Sequence, residues 1–173
     1  MFVKFFKDRS NKKFINKALE NRSSSVNSNK IQTVGIILNI GEFKDYDKLR
    51  NIFKNYGINE NKIKFIAFLS ENDTKLNHWD SYFESKDFGW NGLINNLDLQ
   101  EFIEREFDAL ISYYKKDNLE LNYATACSKA NFKIGLSNHN QNLNDIIIDI
   151  NPNFIDIFGK ELEKYLTGLK KIG

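Results

Sequence analysis

The sequence predicts an α/β domain of three layers, Rossmann-like, in which a mostly parallel sheet of about five or six strands is covered by helices on both faces. A basic helical extension precedes it. Three observations carry this reading. Near-continuous apolar runs of strand length recur along the chain, as expected of parallel strands buried on both faces. Segments with apolar residues at helical spacing lie between them, which is the alternation of βαβ units. Finally, the 173 residues suit one domain, large enough to bury about two-thirds of its unfolded surface.

Taken in order, residues 2–21 show helical spacing through Phe2, Phe5, Phe6, Phe14, Ile15, Ala18 and Leu19, with a break or a new cap expected at Ser10-Asn11. Residues 21–30, NRSSSVNSNK, read as a polar linker. The division expected is therefore a basic arm and linker at 1–30 and the α/β domain at 31–173. Strands are predicted at 33–39 (TVGIILN), 63–69 (IKFIAFL), 107–113 (FDALISY), 132–136 (FKIGL) and 145–150 (DIIIDI), with a short one near 87–90. Helices are predicted at 45–56, closed by Gly57 as the residue after the cap, then at 97–106 and 119–129. A last helix is predicted to start at Asn151 or Asn153, with Pro152 near its first turn, and to bury Ile155, Phe158, Leu162, Tyr165, Leu166 and Leu169. Residues 70–96 are the least regular; Trp79, Tyr82, Phe83, Phe88 and Trp90 cluster there and read as a lid on the sheet edge.

Composition excludes several classes. Aromatic residues reach 14%, too many for a disordered chain. One cysteine excludes a disulfide framework and any multi-thiolate metal site, and His78 and His139 lack metal-binding spacing. No metal and no cofactor is therefore predicted. No apolar run has the length of a signal peptide or a membrane span, which places the protein in the cytoplasm. A chain rich in Asn, Lys, Ile and Phe with one proline suggests an AT-rich bacterial genome.

Charge is distributed unevenly. Residues 1–30 hold eight basic and two acidic side chains, whereas the remainder holds seventeen basic against twenty-one acidic, within a net charge of +2. A basic leader on an acidic body points to a polyanion or an acidic surface.

Within residues 107–136, a strand Asp108 to Ile111, a small-residue patch Ser128 to Ala130 and then Lys133, Ile134 and Gly135 outline one βαβ unit. This segment resembles the N-terminal domain of heptosyltransferase-like glycosyltransferases, and the resemblance implies fold rather than chemistry, because those enzymes bind the sugar nucleotide mainly on a second domain. As a whole the chain resembles an uncharacterised family of about 170 residues from Bacteroidota. The resemblance rests on the basic lead, the stretch from Tyr123 to Gly135 and the element from Asp145 to Pro152. It implies no activity.

Ligands of open parallel sheets sit outside the carboxyl ends of the strands. Here those ends place Asn39, Glu42, Ser70, Asn72, Tyr113, Lys115 and Asn151 around a polar crevice suited to an anionic small molecule. The first turn, NIGEFKD, has one glycine where a dinucleotide fingerprint needs three, and an acid where phosphate would sit. Cys127, among small residues and without an adjacent histidine, reads as a core thiol. No catalytic residue is assigned, since no nucleophile–base pair is present in sequence.

The basic leader offers Lys4, Lys7, Arg9, Lys12, Lys13, Lys17 and Arg22, interleaved with phenylalanines. Three physical roles compete: phosphate neutralisation on RNA, docking on an anionic membrane, and packing of a Phe face on the domain with a merely solvated Lys face. Packing alone is the plainest of these. The function expected is a non-catalytic or accessory cytosolic protein whose arm contacts RNA or a ribonucleoprotein particle. The alternative is a small transferase or hydrolase that holds an anionic metabolite at the strand ends with Asn39, Lys115 and Asn151. A third role for the Phe-rich arm is as a partner or homo-oligomer helix.

Overall fold

A computed structural model describes residues 1–22, 29–76 and 80–173. In chain order the described residues form α1 (Phe2–Glu20), β1 (Val34–Asn39), α2 (Tyr46–Asn55), β2 (Ile63–Phe68), β3 (Tyr82–Phe83), α3 (Leu97–Glu104), β4 (Ala109–Tyr113), α4 (Leu119–Cys127), β5 (Phe132–Gly135), β6 (Ile146–Ile147) and α5 (Ile155–Gly168). The sheet is six-stranded in the order β3-β2-β1-β4-β5-β6. Every ladder is parallel. The Rossmann-like α/β reading therefore stands, and the strand order reverses direction between β1 and β4.

Alternation along the strands divides the core in two. Val34, Ile36 and Leu38 of β1, with Ala109, Ile111 and Tyr113 of β4, face α2 and α5 through Leu49, Phe53, Phe158 and Leu162. Ile37 and Leu110 point the other way, into a layer built from α1, α3 and α4 through Ile15, Leu99, Phe102, Leu121 and Ala124. Each residue of β1 and β4 is buried. This is the physical reason their sequences run apolar without polar alternation.

Local chemistry sets the element ends. Asp45, Asn96 and Asn118 cap α2, α3 and α4 by accepting the backbone N–H of Lys48, Leu99 and Leu121. Gly57 takes φ +85 after α2, as its expected position requires. Ahead of β1, the Asp108 carboxylate accepts the N–H groups of Gln32 (2.9 Å) and Thr33 (2.8 Å) and the Thr33 hydroxyl (2.9 Å), fastening the entry of β1 to that of β4.

Some predicted elements move. The strand expected at 87–90 is Tyr82–Phe83 instead; Phe88 makes only an antiparallel bridge to Ile94. The strand expected at 145–150 shrinks to Ile146–Ile147, because only this stretch pairs with β5 at the sheet edge. Tyr82, Phe83 and Phe88 are buried as a lid would be, whereas Trp90 is exposed. Most of the linker expected at 21–30, along with His78 and Trp79, lies outside the described residues.

The leader is one continuous helix with no break at Ser10-Asn11. It packs along α4 through Asn11, Ile15, Ala18 and Leu19, an i, i+4, i+7, i+8 stripe. Ile15 is 5% exposed. Asn11, also buried, donates to Gly89 O (3.2 Å) and accepts from Gly92 N–H (3.5 Å). Phe14 stacks on Tyr123 at 5.6 Å, and Tyr123 donates to Gly92 O (2.8 Å). Gly92 is demanded twice over: its φ is +83, and a Cβ there would lie 2.6 Å from the Tyr123 hydroxyl.

Gly35 of β1 lies directly beneath an aromatic ring. A Cβ on Gly35 would sit 2.7 Å from the Phe107 ring, which is itself 1% exposed. Gly35→Ala is expected to lower stability by about 1–3 kcal/mol, read as a fall in urea midpoint at unchanged m-value.

Candidate functional site: the outward face of α1 and the strand ends

Of the seven cations expected to bind a polyanion, two are used within the fold. Lys7 donates to Phe88 O (3.1 Å). Arg22 donates to Asn131 O (3.3 Å) and pairs with Asp145 at 2.6 Å, both side chains being largely buried. Lys4, Arg9, Lys12, Lys13 and Lys17 are exposed. They form no ion pair among the described residues. At 100° per residue, Arg9, Lys13 and Lys17 fall on one row opposite the docked stripe, with Lys12 beside it.

The aromatic residues expected to dock do not all do so. Phe2 is 79% exposed, and Phe5 and Phe6 are also solvent-facing, packed edge-to-face on each other at 5.7 Å. Met1 and Val3 complete an apolar tip at the start of the helix. The domain meets this half of α1 with backbone carbonyls of residues 88–89, which take the Lys7 ammonium and the Asn11 amide, whereas at 100° per residue Phe2 and Phe6 fall opposite the docked stripe and Phe5 at its flank.

At the carboxyl ends of the strands, three of the seven expected residues converge. Glu42, in the turn after β1, receives the backbone N–H of Lys115 at both carboxylate oxygens (3.1 Å each), the N–H of Lys116 (3.0 Å) and the Asn39 side-chain amide (2.9 Å). Asn39 is buried and also accepts from Gly41 N–H (3.1 Å). Lys115 turns its ammonium away, to Leu136 O (3.1 Å) and the Asp149 carboxylate. The other four are dispersed. Ser70 is bound to Asp73 (2.7 Å), and Asn72 is exposed in a turn. The Tyr113 hydroxyl donates to Pro152 O (2.7 Å), and Asn151 accepts from Asn153 N–H (2.9 Å). Desolvation holds the Tyr113 phenol well above its ordinary pKa.

A third polar cluster was not anticipated. Lys133 on β5 is fully buried and donates to Thr125 O (2.6 Å) and Ala126 O (3.2 Å), the free carbonyls at the end of α4. Burial, assisted by the Arg22 charge, pulls its pKa down to about 7. Nearby, burial pushes the Cys127 thiol up to about 11, the setting of an inert cysteine. The signal for Lys133 was a lone cation inside an otherwise apolar strand; Asn11 gave none, being one amide in an Asn-rich chain.

Clefts lie elsewhere. One of about 590 Å³ opens at the amino ends of β4 and β5, beside Arg22, Asp108 and Cys127. It is at the end of the sheet opposite to the one where parallel sheets bind ligands. Among the described residues no group of three His, Cys, Asp or Glu side chains gathers to hold a metal ion, and no helix is long and apolar enough to cross a membrane.

Fold and site together define a Rossmann-like α/β protein with a cationic helix seated on its helical layer and a switch point closed by its own carboxylate. Residues 7–169 match the family of unknown function DUF6913, and the chain belongs to that family. No curated protein and no solved structure matches the chain.

Lys133 gives a measurable pH dependence. Its folded pKa is depressed, so the unfolded chain binds more protons between about pH 7 and the ordinary lysine value, and stability rises with pH across that interval. The raised Cys127 pKa works in the opposite sense above about pH 9. Between pH 7 and 9 the wild type is expected to gain about 1–2 kcal/mol relative to Lys133→Met, read by urea denaturation. Parallel pH profiles for the two proteins would show that the buried amine does not titrate there.

Proposed function

We propose that this protein is a non-catalytic, accessory protein that contacts RNA or a ribonucleoprotein particle through the outward face of α1. The observation that carries the reading is the row of exposed cations Arg9, Lys13 and Lys17, flanked by exposed Lys12 and Lys4 and free of ion pairs among the described residues, on a helix whose other side is fixed to the domain. Cations held in one array neutralise phosphates and release counterions on contact. The transferase or hydrolase alternative has less support, because the polar atoms of Asn39, Glu42 and Lys115 are engaged with one another or with nearby chain. The likeness of residues 107–136 to glycosyltransferases is taken as fold-level only. We place the protein in the cytoplasm of a bacterium of the Bacteroidota; the single free thiol, Cys127, supports a reducing compartment.

A second reading has its own observation. Met1, Phe2, Val3, Phe5 and Phe6 expose an apolar tip beside the cations, a combination that suits the interface of an anionic bilayer.

Deleting the leader would uncover the surface that Ile15 seals, so point variants are the cleaner probe. Binding to single-stranded RNA is expected to weaken with salt at a log–log slope of about −2 to −3.5, the release due to three to five phosphates. Arg9→Glu/Lys13→Glu/Lys17→Glu is expected to reduce that affinity at least about tenfold, whereas Phe2→Ser/Phe5→Ser/Phe6→Ser leaves the salt slope intact. Sedimentation with phosphatidylserine vesicles that is lost in the Phe variant, together with no RNA binding by the wild type, would replace the RNA reading with the bilayer one.

A further inference from the structure

The turn after β1 lies where the strand order reverses, the position at which this fold class offers backbone N–H groups to an anion. Here the donors are present and occupied. Lys115 N–H, Lys116 N–H and the Asn39 amide all point at a carboxylate, and that carboxylate belongs to Glu42. The donor set suits a planar two-oxygen anion: Lys116 N–H meets one oxygen, the Asn39 amide the other, and Lys115 N–H is shared between them. Asn39 is itself held by its bond from Gly41 N–H and by burial, so its amide is oriented before any anion arrives.

We propose that the carboxyl ends of β1 and β4 form a carboxylate-binding site whose resident ligand is Glu42, and that the site takes up a free monocarboxylate when that side chain is removed. Three charge-assisted hydrogen bonds from preset donors are each stronger than neutral ones, which suffices for weak capture of a small anion. In the native chain the tethered carboxylate has the advantage of effective concentration and keeps free carboxylates out. The closed switch point is thus a latch that ties the turn before α2 to the end of β4.

The test is Glu42→Ala in the full chain, titrated with sodium acetate against sodium chloride at equal ionic strength. Saturable amide shifts of Lys115 and Lys116 are expected with half-saturation at about 10–100 mM acetate, together with a rise in Tm that chloride does not produce. The wild type is expected to show neither. Chloride producing the same shifts, or acetate moving these amides equally in the wild type, would overturn the proposal. Should Glu42→Ala not fold, Glu42→Gln keeps the shape but removes the charge. Its Lys115 and Lys116 amides are then expected to exchange with deuterium at least about tenfold faster than in the wild type, and unchanged exchange would overturn the proposal equally.

Discussion

Burial of β1 and β4 on both faces is the constraint from which the remaining architecture follows. Neither strand leaves a residue exposed, so each face of the sheet centre needs its own helical cover. On one side α2 and α5 supply it with Leu49, Phe53, Phe158 and Leu162. On the other, α3 and α4 are short, at eight and nine residues, and α1 completes the layer by seating Ile15 against it. The leader is therefore part of the packed structure while most of its charge stays outside. That division orients the helix: docking fixes which row of cations faces solvent, and Lys7 and Arg22 are spent on holding the two ends of the docked stretch.

Three charged side chains at the sheet's margins supply partners to backbone groups that would otherwise go unmet. Asp108 meets the N–H groups entering β1, Glu42 those leaving β4, and Lys133 the free carbonyls of α4. Asp145 joins two of these regions, since its carboxylate accepts both from Lys133 N–H (2.7 Å) and from Arg22. The end of α1 is in this way tied to the edge of the sheet by a shielded ion pair, and the ammonium of Lys133 lies in a field that already contains a guanidinium. A pKa well below the ordinary lysine value is the physical outcome of that field together with burial.

The main elements were legible because periodicity reports burial directly. Strands such as 33–39 could only be sheet centre, and Gly57 marked the end of α2 through a backbone angle few other residues adopt. Edge strands were not legible: β3 and β6 have two paired residues each, and their position depends on which part of an irregular segment reaches the neighbouring strand. Asn39, Glu42 and Lys115 lie together at the strand ends, and nothing in the residues themselves signals that their polar atoms are used internally. Phe2, Phe5 and Phe6 misled for a related reason. Apolar residues at helical spacing need not share the docked face: Phe2 and Phe6 lie opposite the Asn11, Ile15, Ala18 and Leu19 stripe that meets the domain.

The lengthwise order of α1 restricts what can engage it. The apolar tip occupies residues 1–6, and the outward cations follow from Arg9 to Lys17. At 1.5 Å per residue the 19-residue helix is about 28 Å long, so the two regions follow one another along the axis, with only Lys4 inside the tip. A nucleic acid reading phosphates needs only the cationic rows and gains stacking on Phe5 or Phe6 solely if it runs along the helix to its start. A bilayer needs both at once and must lie parallel to the helix, with the tip inserted and the cations at the headgroups. The two partners thus differ in which residues are indispensable. Cations alone suffice for the first, whereas the second fails without the phenylalanines, however many lysines stand behind them.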